Sequence, residues 1–74
     1  MNWLQAEKDV MQEYMRATRI HGHFTSAHEG LAVILEEFAE LQDEVFKRER
    51  DVERLRKEAC QLSAMAMRFI VDIT

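Results

Sequence analysis

The sequence predicts an all-α domain of three amphipathic helices, with the second and third folded back on each other as a central antiparallel hairpin. Three observations lead there. The chain has no proline, and its two glycines, Gly22 and Gly30, do not form a linker. Its bulk is Leu, Met, Ala, Glu, Gln, Arg and Lys, the residues that lose least on entering a helix. Apolar residues also recur at intervals of three and four, the spacing of one helix face.

The first helix is expected from about Asn2 to about Ile20, with Trp3, Val10 and Ala17 at intervals of seven and Leu4, Met11 and Met15 beside them. Gly22 then supplies a positive-φ stop. Ser26-Ala27-His28-Glu29 is an S-x-x-E capping box opening the second helix, which carries apolar residues to Val45 or Phe46. The charged stretch Lys47 to Asp51 makes the turn, and Asp51 is the expected N-cap of a third helix reaching Ile73. Leu31, Ile34, Phe38, Leu41 and Val45 are the expected core positions of helix two. Those of helix three are Val52, Leu55, Ala59, Leu62, Ala66, Phe69 and Ile73. Folding the chain at the charged turn layers Val45 on Val52, Leu41 on Leu55, Phe38 on Ala59 and Ile34 on Leu62, with large meeting small.

Length and charge bound the function. At 74 residues the chain is one domain, residues 1–74, and a fold this small buries only about 60% of its unfolded surface. The single cysteine, Cys60, rules out an internal disulfide framework and suits a reducing, cytoplasmic setting. Oligomerisation is then the remaining remedy: a homodimer or homotetramer, with two hairpins closing a four-helix bundle. The net charge of −4 argues against a duplex nucleic-acid partner. No stretch approaches the roughly 20 apolar residues of a membrane span, and Glu7, Lys8 and Asp9 stand where a signal peptide needs an apolar run.

Beside each core line runs a second one, one position earlier: Val33, Glu37, Glu40 and Glu44 on helix two, and Arg54, Glu58, Gln61, Met65, Arg68 and Asp72 on helix three. A residue at i−1 lies about 100° around the helix. In an antiparallel pair that rotation carries both lines to one side. Glu37, Glu40, Glu58 and Gln61 should therefore converge. Three carboxylates at one spot repel unless a cation sits among them, and hard oxygen ligands favour Mg²⁺ or Mn²⁺. The competing reading is a solvated acidic face paired with Lys or Arg, as Glu44 opposite Arg54 would be. The other flank, with Ala32, Leu35, Ala39, Phe46, Cys60, Met67 and Ile70, is apolar and should pack helix one or a partner chain.

Glu36-Glu37-Phe38-Ala39-Glu40 resembles the E-E-x-x-E motif of the MazG-like all-α nucleoside triphosphate pyrophosphohydrolases, and Glu58-Ala59-Cys60-Gln61 follows where their E-x-x-D motif begins. His21 to Gly30 and Gln61 to Ile73 are also similar to small MazG-like proteins of phages and mobile elements, so the resemblance spans Ile20 to Ile73. It implies a four-helix-bundle-type MazG-like oligomer that splits a nucleoside triphosphate into monophosphate and pyrophosphate with Mg²⁺ or Mn²⁺. It also implies Glu37, Glu40 and Glu58 as metal ligands and Glu36 as a water-orienting catalytic group. Gln61 stands where the family has aspartate. Its carbonyl can ligate Mg²⁺ but brings no charge, so low or narrow activity is expected; the alternative is a non-catalytic metal- or nucleotide-binding or helical interaction module.

Lesser signals complete the reading. His21, His23 and His28, with no cysteine nearby, are a weak zinc pattern. Trp3 and Phe24 could stack on a base but are more often packing residues. Cys60 has no activating partner in the sequence. Of Arg54, Lys57 and Arg68, Arg68 lies on the carboxylate side of helix three and is the best candidate for substrate contact.

Overall fold

The computed structural model describes residues 1–74 as three helices, α1 (Trp3–His21), α2 (Ala27–Val45) and α3 (Val52–Ile73), without strands. Each helix starts on a side-chain cap that relieves its unpaired amides. The Asn2 side chain accepts from the Gln5 amide at 2.9 Å. Ser26 Oγ accepts from the Glu29 amide at 3.1 Å, and Asp51 Oδ1 from the Glu53 amide at 2.9 Å. The capping box is modified: Glu29 reaches Thr25, whose Oγ1 donates to Glu29 Oε2 at 2.7 Å. α1 stops at Gly22, whose φ of 74° lies in the region that favours glycine. No helix is long and apolar enough to cross a membrane.

α3 is the centre of the fold. It packs against both α1 and α2, which do not pack on each other. The core is small: Ala17 of α1, Phe24 of the first loop, and Ala64 and Met65 of α3. Val10, Tyr14, Val33, Ile34, Phe69 and Ile73 are partly buried around it. The start of α2 meets the end of α3, where Gly30 lies against Phe69, and the end of α2 meets the start of α3, where Glu44 lies 3.6 Å from Arg54.

The burial pattern corrects the sequence-based core. Leu31, Phe38, Val52, Ala59 and Ala66 are exposed, while Ile34, Leu41, Val45, Leu55, Leu62, Phe69 and Ile73 are only half-buried. Burial on α2 and α3 falls instead on Gly30 and Ala64 and on Glu44, Met65 and Arg68, the last three on the line read as the site side. A pair of helices buries only the strip between them, and here α1 covers one side of α3 and leaves α2 uncovered. The second flank divides for the same reason. Cys60 and Met67 of α3 are half-buried, whereas Ala32, Leu35, Ala39, Phe46 and Ile70 are exposed.

Gly30 sets the approach of α2 to the end of α3. A Cβ there would lie 2.7 Å from Phe69 Cδ2 and 3.2 Å from Phe24 Cδ2, so a ring must move. Gly30→Ala should gain about 1 kcal/mol in helix propensity and lose about 1–3 kcal/mol by overpacking. The expected result is a lower melting temperature; a rise would show that the two rings yield freely.

Candidate metal centre and adjoining cleft

Glu37 and Glu40, one turn apart on α2, meet Glu58 of α3, and one carboxylate oxygen from each lies within 4.8 Å of the others. These are three of the four residues that the helix arithmetic brings together. None of them takes part in an ion pair; the nearest pairs lie one turn away, where Glu44 binds Lys47 at 2.7 Å and Arg54 at 3.6 Å. Burial, then the neighbouring charges of Glu40 and Glu58, pushes the Glu37 carboxyl up to about 7. Burial followed by Glu40 also raises Glu58, partly opposed by Lys57. One oxygen of each, Oε2 of Glu37 and Oε2 of Glu58, is buried with no hydrogen-bond partner.

The donor set suits a hard divalent cation. Oxygen-only ligands, shared negative charge and unsatisfied carboxylate oxygens are what Mg²⁺ or Mn²⁺ coordination requires. Glu44, one turn beyond Glu40, has one oxygen held by Lys47 and Arg54, and its Oε2 is likewise buried without a hydrogen-bond partner. It is buried, and Lys47 first, then Arg54, hold its carboxyl below the usual range.

Because α1 and α2 do not meet, a cleft of about 370 Å³ opens between them over α3. Glu36, Glu37 and Gln61 line one part of it, and Phe24, Met65 and Arg68 another. Glu36 is exposed and Gln61 half-buried. Arg68 is nearly enclosed, at 3% exposure. Its guanidinium lies over the Phe24 ring, 4.2 Å from the centroid, and Nη2 donates to the Gly22 carbonyl at 2.6 Å. It lies ten residues beyond Glu58 on α3, about 15 Å of helix.

Asp72 is a residue whose role the sequence did not disclose. Its carboxylate accepts from the Phe24 amide at 2.8 Å and from His23 Nδ1 at 2.9 Å. The Phe24 amide first, then His23 and Arg68, holds its carboxyl below the usual range. Arg68 and Asp72 together pin the Gly22–Phe24 segment that walls the cleft. Their i, i+4 spacing opposite a glycine-containing loop was the available signal. His23 is thus a loop anchor, His21 lines the cleft, and His28 borders an apolar groove with Leu31 and Phe69. Trp3 is exposed. Cys60 is half-buried, and burial raises its thiol pKa, opposite to the shift that would activate a nucleophile.

No protein-family model matches the chain, and neither a curated protein nor a solved structure matches it.

Proposed function

We propose that the protein is a Mg²⁺- or Mn²⁺-dependent pyrophosphohydrolase of MazG-like type, with low or narrow activity, acting on a nucleoside triphosphate in the cytoplasm. The observation that carries this reading is the convergence of Glu37, Glu40 and Glu58 without a Lys or Arg partner. A solvated acidic face normally keeps its charges apart or paired. Here two of the three carboxyls are partly buried and unneutralised.

In this reading α2 and α3 form an antiparallel hairpin, and Glu37, Glu40 and Glu58 hold the metal. When bound, the ion polarises phosphoryl oxygens and lowers the pKa of a water. Glu36, exposed beside Glu37 on the cleft, orients that water and accepts its proton. Gln61 contributes no charge, which is the reason low turnover is expected. The test is pyrophosphate release from a panel of nucleoside triphosphates with Mg²⁺ or Mn²⁺. Slow release from at least one of them, abolished in Glu40→Gln, is the expected result. Metal-dependent binding without release would leave the non-catalytic module as the reading, and the absence of both would return the cluster to a solvated face.

Oligomerisation belongs to the same proposal. Leu31, Leu35 and Phe38 form an exposed apolar stripe on α2, and Val52, Ile70 and Val71 are exposed on α3. A second copy packed on these faces would close a four-helix bundle, as a homodimer or within a homotetramer. Sedimentation at micromolar concentration should show a species of at least twice 8.8 kDa; a single 8.8 kDa boundary would remove this part of the reading.

A further inference from the structure

We propose that Glu44 is a ligand to a second divalent cation, held together with Glu58 on the side of the Glu37–Glu40–Glu58 position that faces the charged turn. This second site rests on the metal-dependent reading above. Its distinguishing ligand lies outside both carboxylate motifs, one turn beyond Glu40 on the same face of α2.

Three carboxylate oxygens are buried without a hydrogen-bond partner: Oε2 of Glu37, of Glu58 and of Glu44. The first two belong to the trio. The third does not, since Glu44 lies outside the group whose oxygens come within 4.8 Å of one another. Its side chain is only 9% exposed. Lys47 and Arg54 both reach Oε1, at 2.7 Å and 3.6 Å, and neither satisfies Oε2. A buried polar atom left unpaired calls for a partner that the chain does not provide. Lys47 first, then Arg54, keep this carboxyl ionised, so a proton does not fill the place. What fits an anionic oxygen is a donor or a cation.

Glu58 joins the two positions. After burial and Glu40, the charge of Glu44 also raises the Glu58 carboxyl, with Lys57 opposing. A water would satisfy the free oxygens of Glu44 and Glu58 but leave their repulsion, whereas a divalent ion relieves both. With two oxygens of its own, Glu58 can serve an ion on either side. Charge points the same way. Two-metal phosphoryl sites hold a pair of divalent ions, and Glu37, Glu40 and Glu58 bring one negative charge each while Gln61 brings none. Glu44 supplies the carboxylate that position 61 lacks. Lys47 and Arg54 oppose a cation beside it, so the second ion should be the weaker of the two.

The experiment titrates the wild-type protein with Mn²⁺ alone, without nucleotide, and follows the free ion by electron paramagnetic resonance. Two Mn²⁺ per chain are expected, the second bound at least tenfold more weakly than the first. Glu44→Gln, which keeps the shape of the side chain, should retain the first ion and weaken the second at least tenfold. Lys47→Gln combined with Arg54→Gln should tighten the second ion at least threefold, because two opposing charges are gone. Loss of an ion pair alone would lower the stability of these variants without changing how many ions bind. The Lys47 and Arg54 variant decides the matter if Glu44→Gln does not fold. One Mn²⁺ per chain in the wild type, a second ion untouched by Glu44→Gln, or a second ion no tighter without Lys47 and Arg54 would each overturn the proposal. In all three cases the first ion keeps the Glu37–Glu40–Glu58 reading standing. A wild type that binds no Mn²⁺ would remove both.

Discussion

Saturating Mg²⁺ or Mn²⁺ should raise the melting temperature of the wild-type protein steeply and that of Glu40→Gln much less. A ligand that binds only the folded state stabilises it by RT ln(1 + [L]/Kd), about 2.7 kcal/mol at a hundredfold excess over Kd. In a domain this small, each kcal/mol corresponds to roughly 4–8 °C, so the shift should be roughly 10–20 °C. Glu40 is the exposed member of the trio, so its replacement removes charge without opening the interior. The pH dependence carries a sign of its own. With its carboxyl raised to about 7, Glu37 binds a proton in the folded state across the interval between its ordinary value and 7. Metal-free protein should therefore gain stability as pH falls from about 7 towards 4.5, and lose it as pH rises through that window. Metal competes with that proton, so the metal-induced shift should shrink as the pH falls below about 7. Equal shifts in wild type and Glu40→Gln, or a flat pH profile in the metal-free protein, would count against convergence of the carboxylates in solution.

Arg68→Met should lower stability by about 2 kcal/mol, because the variant gives up a charged hydrogen bond and the cation–π interaction with Phe24, partly offset by no longer burying a cation. Methionine nearly matches the length of the aliphatic stem, so the packing against Phe24 persists and the effect isolates the guanidinium. The Gly22 carbonyl is then left without its donor, and Asp72 without the positive charge that helps keep it ionised. Thermal melting should fall by roughly 8–16 °C. Arg68→Lys should recover only part of the difference, since an ammonium cannot reproduce the planar fork. A Met variant as stable as wild type would mean that Arg68 contributes nothing to holding the loop and is kept for what enters the cleft.

Much of this arrangement is local and could be read from spacing. The helix boundaries follow caps and breaks at Asn2, Gly22, Ser26 and Asp51. The meeting of Glu37, Glu40 and Glu58 needs only the roughly 100° step of a helix and a pairing of α2 with α3. The core was legible only in part, because Phe38 and Leu31 carry the same periodicity whether a neighbour covers them or not. What decides between burial and exposure is the position of α1, and α1 chose α3. That choice also made the cleft, which no spacing along one helix announces. The loop-holding role of Arg68 and Asp72 escaped for a related reason: their partners, Gly22, His23 and Phe24, lie 46 to 49 residues away in the chain.

The attachment of α1 to α3 alone divides the molecule into two mechanical parts. Glu37, Glu40 and Glu58 belong wholly to α2 and α3, whereas Glu13, Arg16 and Ala17 give the cleft its outer wall. A sub-global opening that lifts α1 costs only its packing on α3 and leaves the carboxylates in place. The cleft's width is then set by how one helix seats on a single neighbour. Ligands of different bulk could be admitted by the same cluster, each drawing α1 down to a different extent, and selectivity would be set by how firmly one helix closes rather than by the shape of a rigid wall.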